Sequence, residues 1–286
     1  MHEGRIDLRA VTDSLAAATS ATSSPCIGVF DSGVGGLSVL DAIRQRLPDA
    51  SLVYVGDVAY APYGERVAAD VLTRCERIVA QLVAFGARLI VVACNTATVL
   101  AIETLRRRWP TLHFVGVEPG VKPAVAMTCS GRIAVLATPA TASSPRLRHL
   151  VEQFASGVHV HIESCPGLAA AVERGAHGDS PALAALLAPS CRNVRAAEVD
   201  TVVLGCTHYP FVADAIRAQL SSGVRLVDTA RAVAERVASV ALEARCDHSG
   251  ATPRLRIIST SASPAMAGLL RRCLHLEHAA VELLPI

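Results

Sequence analysis

Residues 89–96 read Leu89-Ile90-Val91-Val92-Ala93-Cys94-Asn95-Thr96, and residues 201–208 read Thr201-Val202-Val203-Leu204-Gly205-Cys206-Thr207-His208. The segments lie 112 positions apart (206 − 94), and each is an apolar run that ends in a small residue and a cysteine. Such runs are typical of buried strands. Each thiol is therefore predicted at the carboxyl end of a strand, where open α/β sheets bind ligands. Two thiols facing one pocket suggest an acid and a base acting on two faces of one carbon, although free cysteine is also a common small core residue.

Short apolar strands alternate with helical patterns along the chain. The predicted strands are Ile27–Phe30, Leu52–Val55, Leu89–Ala93, His113–Val117, Ile133–Ala137, Val158–Ile162, Thr201–Leu204, Arg225–Val227 and Leu255–Ile258. Helices are predicted at Leu37–Leu47, which Pro48 ends, and from about Val67 to Phe85. Alternation of this kind is typical of parallel sheets joined by right-handed crossovers. The predicted fold class is α/β, with two similar parallel-sheet domains that face each other across a central cleft.

The Pro- and Gly-rich stretch at residues 118–123 is the predicted domain junction in this chain of 286 residues. We expect the chain to return to the first domain near Asp228. Residues 25–120 and 228–286 would then form a discontinuous first domain that carries Cys94, and residues 121–227 a second domain that carries Cys206. Residues 1–24 lack the apolar region of a signal peptide. They are predicted to be a disordered N-terminal extension.

Composition and charge argue against several classes of function. The net charge is +2 and aromatic residues make up 3% of the chain, so neither electrostatics nor base stacking favours nucleic acid as a partner. Charged residues interrupt every apolar run well short of a membrane span, which predicts a soluble protein without membrane association. Nine cysteines, an odd count without regular spacing, are typical of a reduced, cytoplasmic protein.

Two observations argue against a cofactor. Among the 27 basic residues only Lys122 is a lysine, and pyridoxal phosphate enzymes hold their cofactor on a lysine. Lys122 lies in the turn-rich junction, so pyridoxal chemistry is not expected. Zinc could draw on Cys94, Cys206 and His208, but the local ligand spacing of structural zinc sites is missing. The sequence therefore predicts neither an organic cofactor nor a metal.

A glycine-rich turn follows the first predicted strand and reads Asp31-Ser32-Gly33-Val34-Gly35-Gly36. Its glycines let N–H groups turn toward a ligand, and the N-terminus of the following helix favours an anion. Neither the dinucleotide fingerprint nor a Walker lysine is present. A small carboxylate therefore fits as well as a phosphate, and a purely structural turn is a further alternative. The loop after the second strand should place backbone groups of Tyr63 and Gly64 on the same rim.

An imidazole lies two residues beyond the second thiol, in Cys206-Thr207-His208. A histidine beside a cysteine can lower the thiol pKa and generate the reactive thiolate, whereas a lone histidine is more often a cap or a surface group. His159 and His161 alternate along a predicted strand and are assigned to a solvated face. Glu173 by itself is indistinguishable from a surface carboxylate.

Together these segments resemble the glutamate racemases, which are cofactor-independent amino-acid racemases. The matching pieces are Phe30–Ser38, Gly56-Asp57 with Pro62-Tyr63-Gly64, Ala93–Ala97 and Leu204–Pro210. The similarity runs from about residue 26 to the end of the chain. Aspartate racemases with paired cysteines share the two thiols but resemble Asp31–Gly36 and Thr207–Pro210 less closely.

The resemblance implies a set of site residues. Cys94 and Cys206 would be the two bases, assisted by Asp31, His208 and Glu173. The implied substrate contacts are Asp31, Ser32, Tyr63, Gly64, Asn95, Thr96, Thr207 and His208. Thr138 and Thr141 look like the family's threonine pair, while Leu147 stands where the family usually has a tyrosine.

The implied reaction interconverts L- and D-glutamate by two-base proton transfer at the α-carbon and supplies D-glutamate for peptidoglycan. Some racemases with a similar N-terminal extension are activated by a UDP-linked peptidoglycan precursor, so this precursor is a further candidate partner. A homodimer is an assembly that the sequence leaves open. Three alternatives remain: an aspartate racemase, a thiol hydrolase or lyase that uses Cys206 and His208 as nucleophile and base, and a non-catalytic amino-acid-binding protein.

Overall fold

A computed structural model describes residues 26–178, 180–244, 246, 254–277 and 279–286, without the side chains of Cys26 and Cys273. The predicted N-terminal extension, residues 1–24, lies outside the described residues. Within the described ranges, no helix is long and apolar enough to cross a membrane.

The strands form two sheets. They are β1 (Cys26–Asp31), β2 (Leu52–Gly56), β3 (Ala87–Val92), β4 (His113–Gly116), β5 (Arg132–Ala137), β6 (His159–Ser164), β7 (Thr201–Leu204), β8 (Arg225–Val227), β9 (Leu255–Ser259) and β10 (Val281–Leu283). One sheet has the order β10-β9-β2-β1-β3-β4 and the other the order β6-β5-β7-β8, and all neighbouring strands are parallel. The α/β prediction with two parallel sheets is therefore confirmed.

Nine strands agree with the sequence prediction, with ends that shift by at most two residues. The strand β10 was not predicted. It has three residues at the edge of the first sheet, and two of them are exposed. A segment this short shows too little of the alternating pattern from which a strand is recognised.

Helices cover the faces of both sheets. They are α1 (Leu37–Arg46), α2 (Ala68–Ala84), α3 (Asn95–Arg108), α4 (Val121–Met127), α5 (Pro139–Ala142), α6 (Pro145–Phe154), α7 (Leu168–Glu173), α8 (Pro181–Ala196), α9 (Ala213–Gln219), α10 (Ala230–Glu243) and α11 (Pro264–Leu274). The helices α1 and α2 confirm the two predicted ones to within one residue at each end. Short 3₁₀ turns occupy Val58–Tyr60, Tyr63–Glu65 and Tyr209–Val212.

Burial explains why the central strands read as continuous apolar runs. Every residue of β2 and of β7 is buried, because helices cover both faces of a parallel sheet. In the second sheet, Leu147 of α6 is fully buried and belongs to the same core cluster as Ile133 and Val203. Leucine thus fills the core at the position where the resemblance implies a tyrosine.

The first sheet contains strands from both ends of the described chain. The strands β1–β4 precede the second sheet and β9 and β10 follow it. After β8 the chain enters α10, which packs on α1 and β4 of the first sheet. We propose that the domain boundaries lie on this path, near residues 120 and 228.

Hydrogen bonds to the Asp200 carboxylate stabilise the turn that precedes β5. The Oδ1 atom of Asp200 accepts a hydrogen bond from Thr128 Oγ1 at 2.6 Å, and its Oδ2 atom accepts from the N–H groups of Cys129 and Ser130 at 2.7 and 2.8 Å. Desolvation would raise the pKa of Asp200, but these hydrogen bonds outweigh it and hold the pKa well below its usual range. Asp200 is therefore ionised in the folded protein.

Replacing Asp200 with Asn should lower the free energy of unfolding at neutral pH by roughly 1–3 kcal/mol, because hydrogen bonds to a charged acceptor are lost. A lowered pKa in the folded state contributes stability above the unfolded pKa of about 4. That contribution fades as pH falls toward the folded pKa, so the deficit should shrink in acid. Urea unfolding of the wild type and of Asp200→Asn at neutral and at acidic pH measures this difference in the free energy of unfolding. Asp214→Asn, in which a 97% exposed side chain is changed, is the control, and a deficit that is constant with pH would contradict the interpretation.

Candidate active site

The carboxyl ends of β1, β3 and β7 bring the predicted site residues together. Cys94 and Cys206 each lie two residues beyond the end of a strand, β3 and β7 respectively, and they are only 5% and 6% exposed. Thr207 donates through Oγ1 to Oδ2 of the fully buried Asp31, at the end of β1, over 3.2 Å. Ser38 Oγ also donates to the carbonyl oxygen of Thr207 at 3.4 Å. The two sheets therefore meet at their carboxyl ends, where the cleft lies.

Cys94 caps the N-terminus of α3. Its sulfur accepts a hydrogen bond from the N–H of Ala97 at 3.4 Å, and its thiol donates to Ser32 Oγ at 3.6 Å. Burial and the charge of Asp31 raise the pKa of Cys94 above its usual range, although the two hydrogen bonds oppose this. The arrangement therefore favours the neutral thiol at Cys94.

Cys206 belongs to a chain of polar contacts that continues through His208 to Glu173. The Cys206 Sγ atom lies 3.6 Å from His208 Nδ1, and His208 Nε2 lies 2.6 Å from Glu173 Oε1. Burial would lower the pKa of His208, but the hydrogen bonds to Cys206 and Glu173 outweigh it and raise the pKa well above its usual range. His208 is therefore an imidazolium that donates to both neighbours, and its charge lies next to the Cys206 sulfur.

Two glycines of the turn after β1 make room for side chains from the second sheet. A Cβ atom on Gly33 would lie 1.9 Å from Glu173 Oε1, and one on Gly35 would lie 2.4 Å from His208 Nδ1. Any side chain at these positions would displace Glu173 or His208. Glycine is required here because of this close approach, and not because of an unusual backbone conformation.

The N–H groups of this turn are used by the protein's own carboxylates. Gly33 N–H donates to Asp31 Oδ1 and Val34 N–H donates to Glu173 Oε1, each at 2.8 Å. The sequence left open whether the turn binds a phosphate, binds a carboxylate or is structural. These two groups are already engaged with Asp31 and Glu173, which makes the turn part of the link between the two sheets.

Asp31 lies beside both Glu173 and His208. Burial raises its pKa, the His208 charge lowers it, the Glu173 charge raises it, and the net shift is upward. The three residues hold ligand atoms within 4.8 Å of one another, close enough for a metal ion. A protonated imidazole has no free lone pair for a metal, so the hydrogen-bonded arrangement described above does not favour one.

The loop after β2 rests on a buried ion pair. Arg74 donates to Asp57 from Nε at 2.9 Å and from Nη2 at 2.6 Å, and Tyr63 donates from its hydroxyl to Asp57 Oδ2 at 2.6 Å. The Tyr63 hydroxyl is thus engaged by Asp57, so a substrate contact from this residue would have to come from its backbone. The next residue, Gly64, lies against Thr138, which a Cβ on Gly64 would approach to 2.7 Å. The loop therefore reaches the second sheet.

The remaining predicted residues border the cleft. Thr96 Oγ1 lies 3.0 Å from Thr138 Oγ1, which donates to Thr141 Oγ1 at 3.1 Å, and this row of hydroxyls links the two sheets. Asn95 Nδ2 donates to the carbonyl oxygen of Val117 at 3.4 Å. All predicted residues thus lie in or around one site, while their contacts with a substrate stay predictions.

The structure shows two polar residues near the site, Tyr54 and Asp57, to which the sequence analysis assigned no role. Tyr54, which is fully buried, donates its hydroxyl to the carbonyl oxygen of Gly33 at 2.7 Å. A tyrosine in an otherwise apolar buried strand needs such a partner, and that was the available signal. Asp57 gave a similar signal, because it is a carboxylate at the end of a buried strand.

The histidines of β6 differ in burial. His159 is exposed as predicted, but His161 is half-buried, because its ring lies 3.0 Å from Oε2 of Glu163, two residues along the same edge strand.

Comparisons with known proteins agree with this geometry. The chain is 47% identical over 239 residues to the glutamate racemase of Pseudomonas aeruginosa strain UCBPP-PA14, a match that covers 82% of this chain and 89% of that protein. The crystal structure of glutamate racemase isoform RacE1 from Bacillus anthracis superposes with a TM-score of 0.82 at 29% identity, covering 92% of this chain and 98% of that one.

The Escherichia coli glutamate racemase, solved in complex with L-glutamate and the activator UDP-MurNAc-Ala, gives a TM-score of 0.78 at 33% identity and covers 92% of this chain and 98% of that one. A sequence model of the Asp/Glu/hydantoin racemase family matches residues 27–237, which includes both cysteines and every other predicted site residue. The chain therefore belongs to the Asp/Glu/hydantoin racemase family.

Proposed function

We propose that the chain is a glutamate racemase that moves protons at the α-carbon with Cys94 and Cys206 as its two bases. The observation that carries this proposal is the matched position of the two thiols, each two residues beyond a strand of a different sheet. Ser32 lies against Cys94, and Asp31 is linked to Thr207 beside Cys206.

The unequal surroundings of the two thiols suit opposite tasks. The imidazolium of His208 favours a thiolate at Cys206, which can remove the α-proton from one face. The neutral thiol of Cys94 can deliver a proton to the other face. After inversion Cys206 holds the proton and Cys94 is the thiolate, so the two thiols must exchange their protonation states before the next turnover. The family resemblance assigns Cys206 to L-glutamate and Cys94 to D-glutamate.

Hydrogen bonds and enclosure must stabilise the developing negative charge, because no electron sink is invoked. Asn95, Thr96 and Ser32 are the proposed side-chain donors to the substrate, and Asp31 is the proposed acceptor for its ammonium group. Thr207 would donate through its backbone N–H, because its hydroxyl donates to Asp31. Backbone groups of Tyr63 and Gly64 would close the rim from the first sheet.

Replacing either Cys94 or Cys206 with Ala should abolish racemisation, because each face of the carbon needs its own proton carrier. Each Cys→Ser variant should be severely slowed, since a hydroxyl is a much weaker acid than a thiol. Circular dichroism of L- and D-glutamate solutions follows the reaction. The control is Cys129→Ala, which changes an exposed cysteine and should keep normal turnover. Near-normal activity in Cys94→Ala, with loss only in Cys206→Ala, would favour the nucleophilic hydrolase instead.

The purified protein should racemise glutamate without added pyridoxal phosphate and with a chelator present, because the mechanism uses only side-chain protons. Proton NMR in D2O should show the α-hydrogen of both enantiomers replaced by deuterium. An amino-acid-binding protein would give no exchange, and faster exchange with aspartate than with glutamate would reassign the substrate. Activity lost to chelators or an absorbance band of bound pyridoxal phosphate would contradict the cofactor-free reaction.

We further propose that a UDP-linked peptidoglycan precursor activates the protein through residues 1–24. Such control would suit an enzyme that feeds D-glutamate to the cell wall while sparing the L-glutamate pool of the cytoplasm. The precursor can act only through a higher affinity for the competent arrangement of the cleft. A homodimer, by contrast, stays a prediction.

Full-length protein should be more active with UDP-MurNAc-Ala than without it, and a variant that begins near Ser24 should lose this response. The reason is that the precursor would hold residues 1–24 against the body of the protein. Initial rates of the two proteins, with and without the precursor, give the four values to compare. Equal activity in all four samples would make the extension a passive tail.

A further inference from the structure

Tyr54 lies beneath the glycine turn, at the centre of β2. It is fully buried, and its ring carbons would lie 3.2 and 3.3 Å from Cβ atoms built on Gly36 and Gly56. Its hydroxyl donates to the carbonyl oxygen of Gly33 at 2.7 Å. The tyrosine therefore contacts the turn both through its ring and through a directed hydrogen bond.

The carbonyl that Tyr54 holds belongs to the same peptide group as the N–H that holds Glu173. A trans peptide is planar, and its C=O and N–H bonds point in opposite directions. In the Gly33–Val34 peptide, the carbonyl accepts from Tyr54 and the N–H donates to Glu173 Oε1 at 2.8 Å. Fixing one end of this rigid group fixes the other.

Glu173 Oε1 is also the atom that His208 Nε2 contacts, at 2.6 Å. The other oxygen of this carboxylate, Oε2, is buried and has no hydrogen-bond partner among the residues that the structure describes. The Glu173 side chain is thus oriented by the Val34 N–H and by His208, and a rotation of the Gly33–Val34 peptide removes one of these two contacts. His208 in turn contacts Cys206.

We propose that Tyr54 is a positioning residue for the second thiol, acting through the Gly33–Val34 peptide, Glu173 and His208 on Cys206. This inference rests on the proposed racemase function and deepens it. The hydroxyl of Tyr54 donates to the Gly33 carbonyl oxygen, so its proposed effect on Cys206 passes through this chain of contacts. If the Tyr54 hydroxyl served only the packing of the core, its removal would lower the stability of the fold and would leave the rate of proton transfer unchanged.

Tyr54→Phe keeps the ring and removes only the hydroxyl. It should lower kcat/KM by about ten-fold, an order-of-magnitude figure that corresponds to about 1.4 kcal/mol. The loss is equal in both directions because the enantiomers have equal free energy. The basic limb of the pH profile should move to lower pH, because a less well held Glu173–His208 pair lowers the raised pKa of His208.

Isotope effects distinguish a slower proton transfer at Cys206 from a slower proton transfer at Cys94. When the step at Cys206 becomes slower, the primary isotope effect on kcat/KM should rise for α-deuterated L-glutamate and fall for α-deuterated D-glutamate. The control is Tyr60→Phe, which removes the hydroxyl of an exposed tyrosine that has no role in the proposed site. It should leave the balance of the two isotope effects as in the wild type, whatever it does to the rate.

A double-mutant cycle completes the test. Once Glu173→Gln has disrupted the contact chain, adding Tyr54→Phe should cost little further activity, so that the two effects are far from additive. Additive losses, or a Tyr54→Phe protein that loses stability in urea while its pH profile and isotope effects are unchanged, would overturn the inference. A wild-type protein that fails to racemise would instead overturn the proposed function, so the two failures are distinguishable.

Discussion

The close approach of Glu173 to the glycine turn is the contact on which the rest of the site depends. One carboxylate oxygen, Glu173 Oε1, accepts from Val34 N–H of the first sheet's turn and from His208 of the second sheet. The space for it exists only because residue 33 has no side chain. A Cβ at this position would lie 1.9 Å from Glu173 Oε1 and would displace this carboxylate from the turn.

Different charged groups surround the two thiols, so Cys94 and Cys206 have different electrostatic environments in the resting site. Cys94 lies near Asp31, and burial together with this negative charge raises its pKa. Cys206 lies beside His208, whose pKa is raised by its hydrogen bonds to Cys206 and Glu173. In a site with little water such charges interact more strongly than at the surface. The proposed two-base reaction requires a thiol and a thiolate in one cleft, and the different surroundings of Cys94 and Cys206 support that proposal.

The same geometry bears on the alternative functions. A nucleophilic hydrolase would need only Cys206 and His208, and both are present. It would give no reason for Cys94 to occupy the equivalent position on the other sheet, or for Ser32 to lie against its sulfur. Family membership and the matched thiols therefore support a racemase. The contacts from Tyr54 through Glu173 suggest that the relay behind Cys206 extends into the first sheet.

The sequence by itself determined the α/β class, every central strand and the placement of both thiols at strand ends, because these follow from local apolar patterns that burial on both faces imposes. It missed β10, whose three edge residues carry too short a pattern. Only the tertiary structure decided where Glu173 lies, since its contact with Val34 joins residues 139 positions apart. It also decided that the Tyr63 hydroxyl serves Asp57 and that Tyr54 holds the Gly33 carbonyl. A hydrogen bond between distant segments leaves no periodic trace in the sequence, so its partners become known only when the chain has folded.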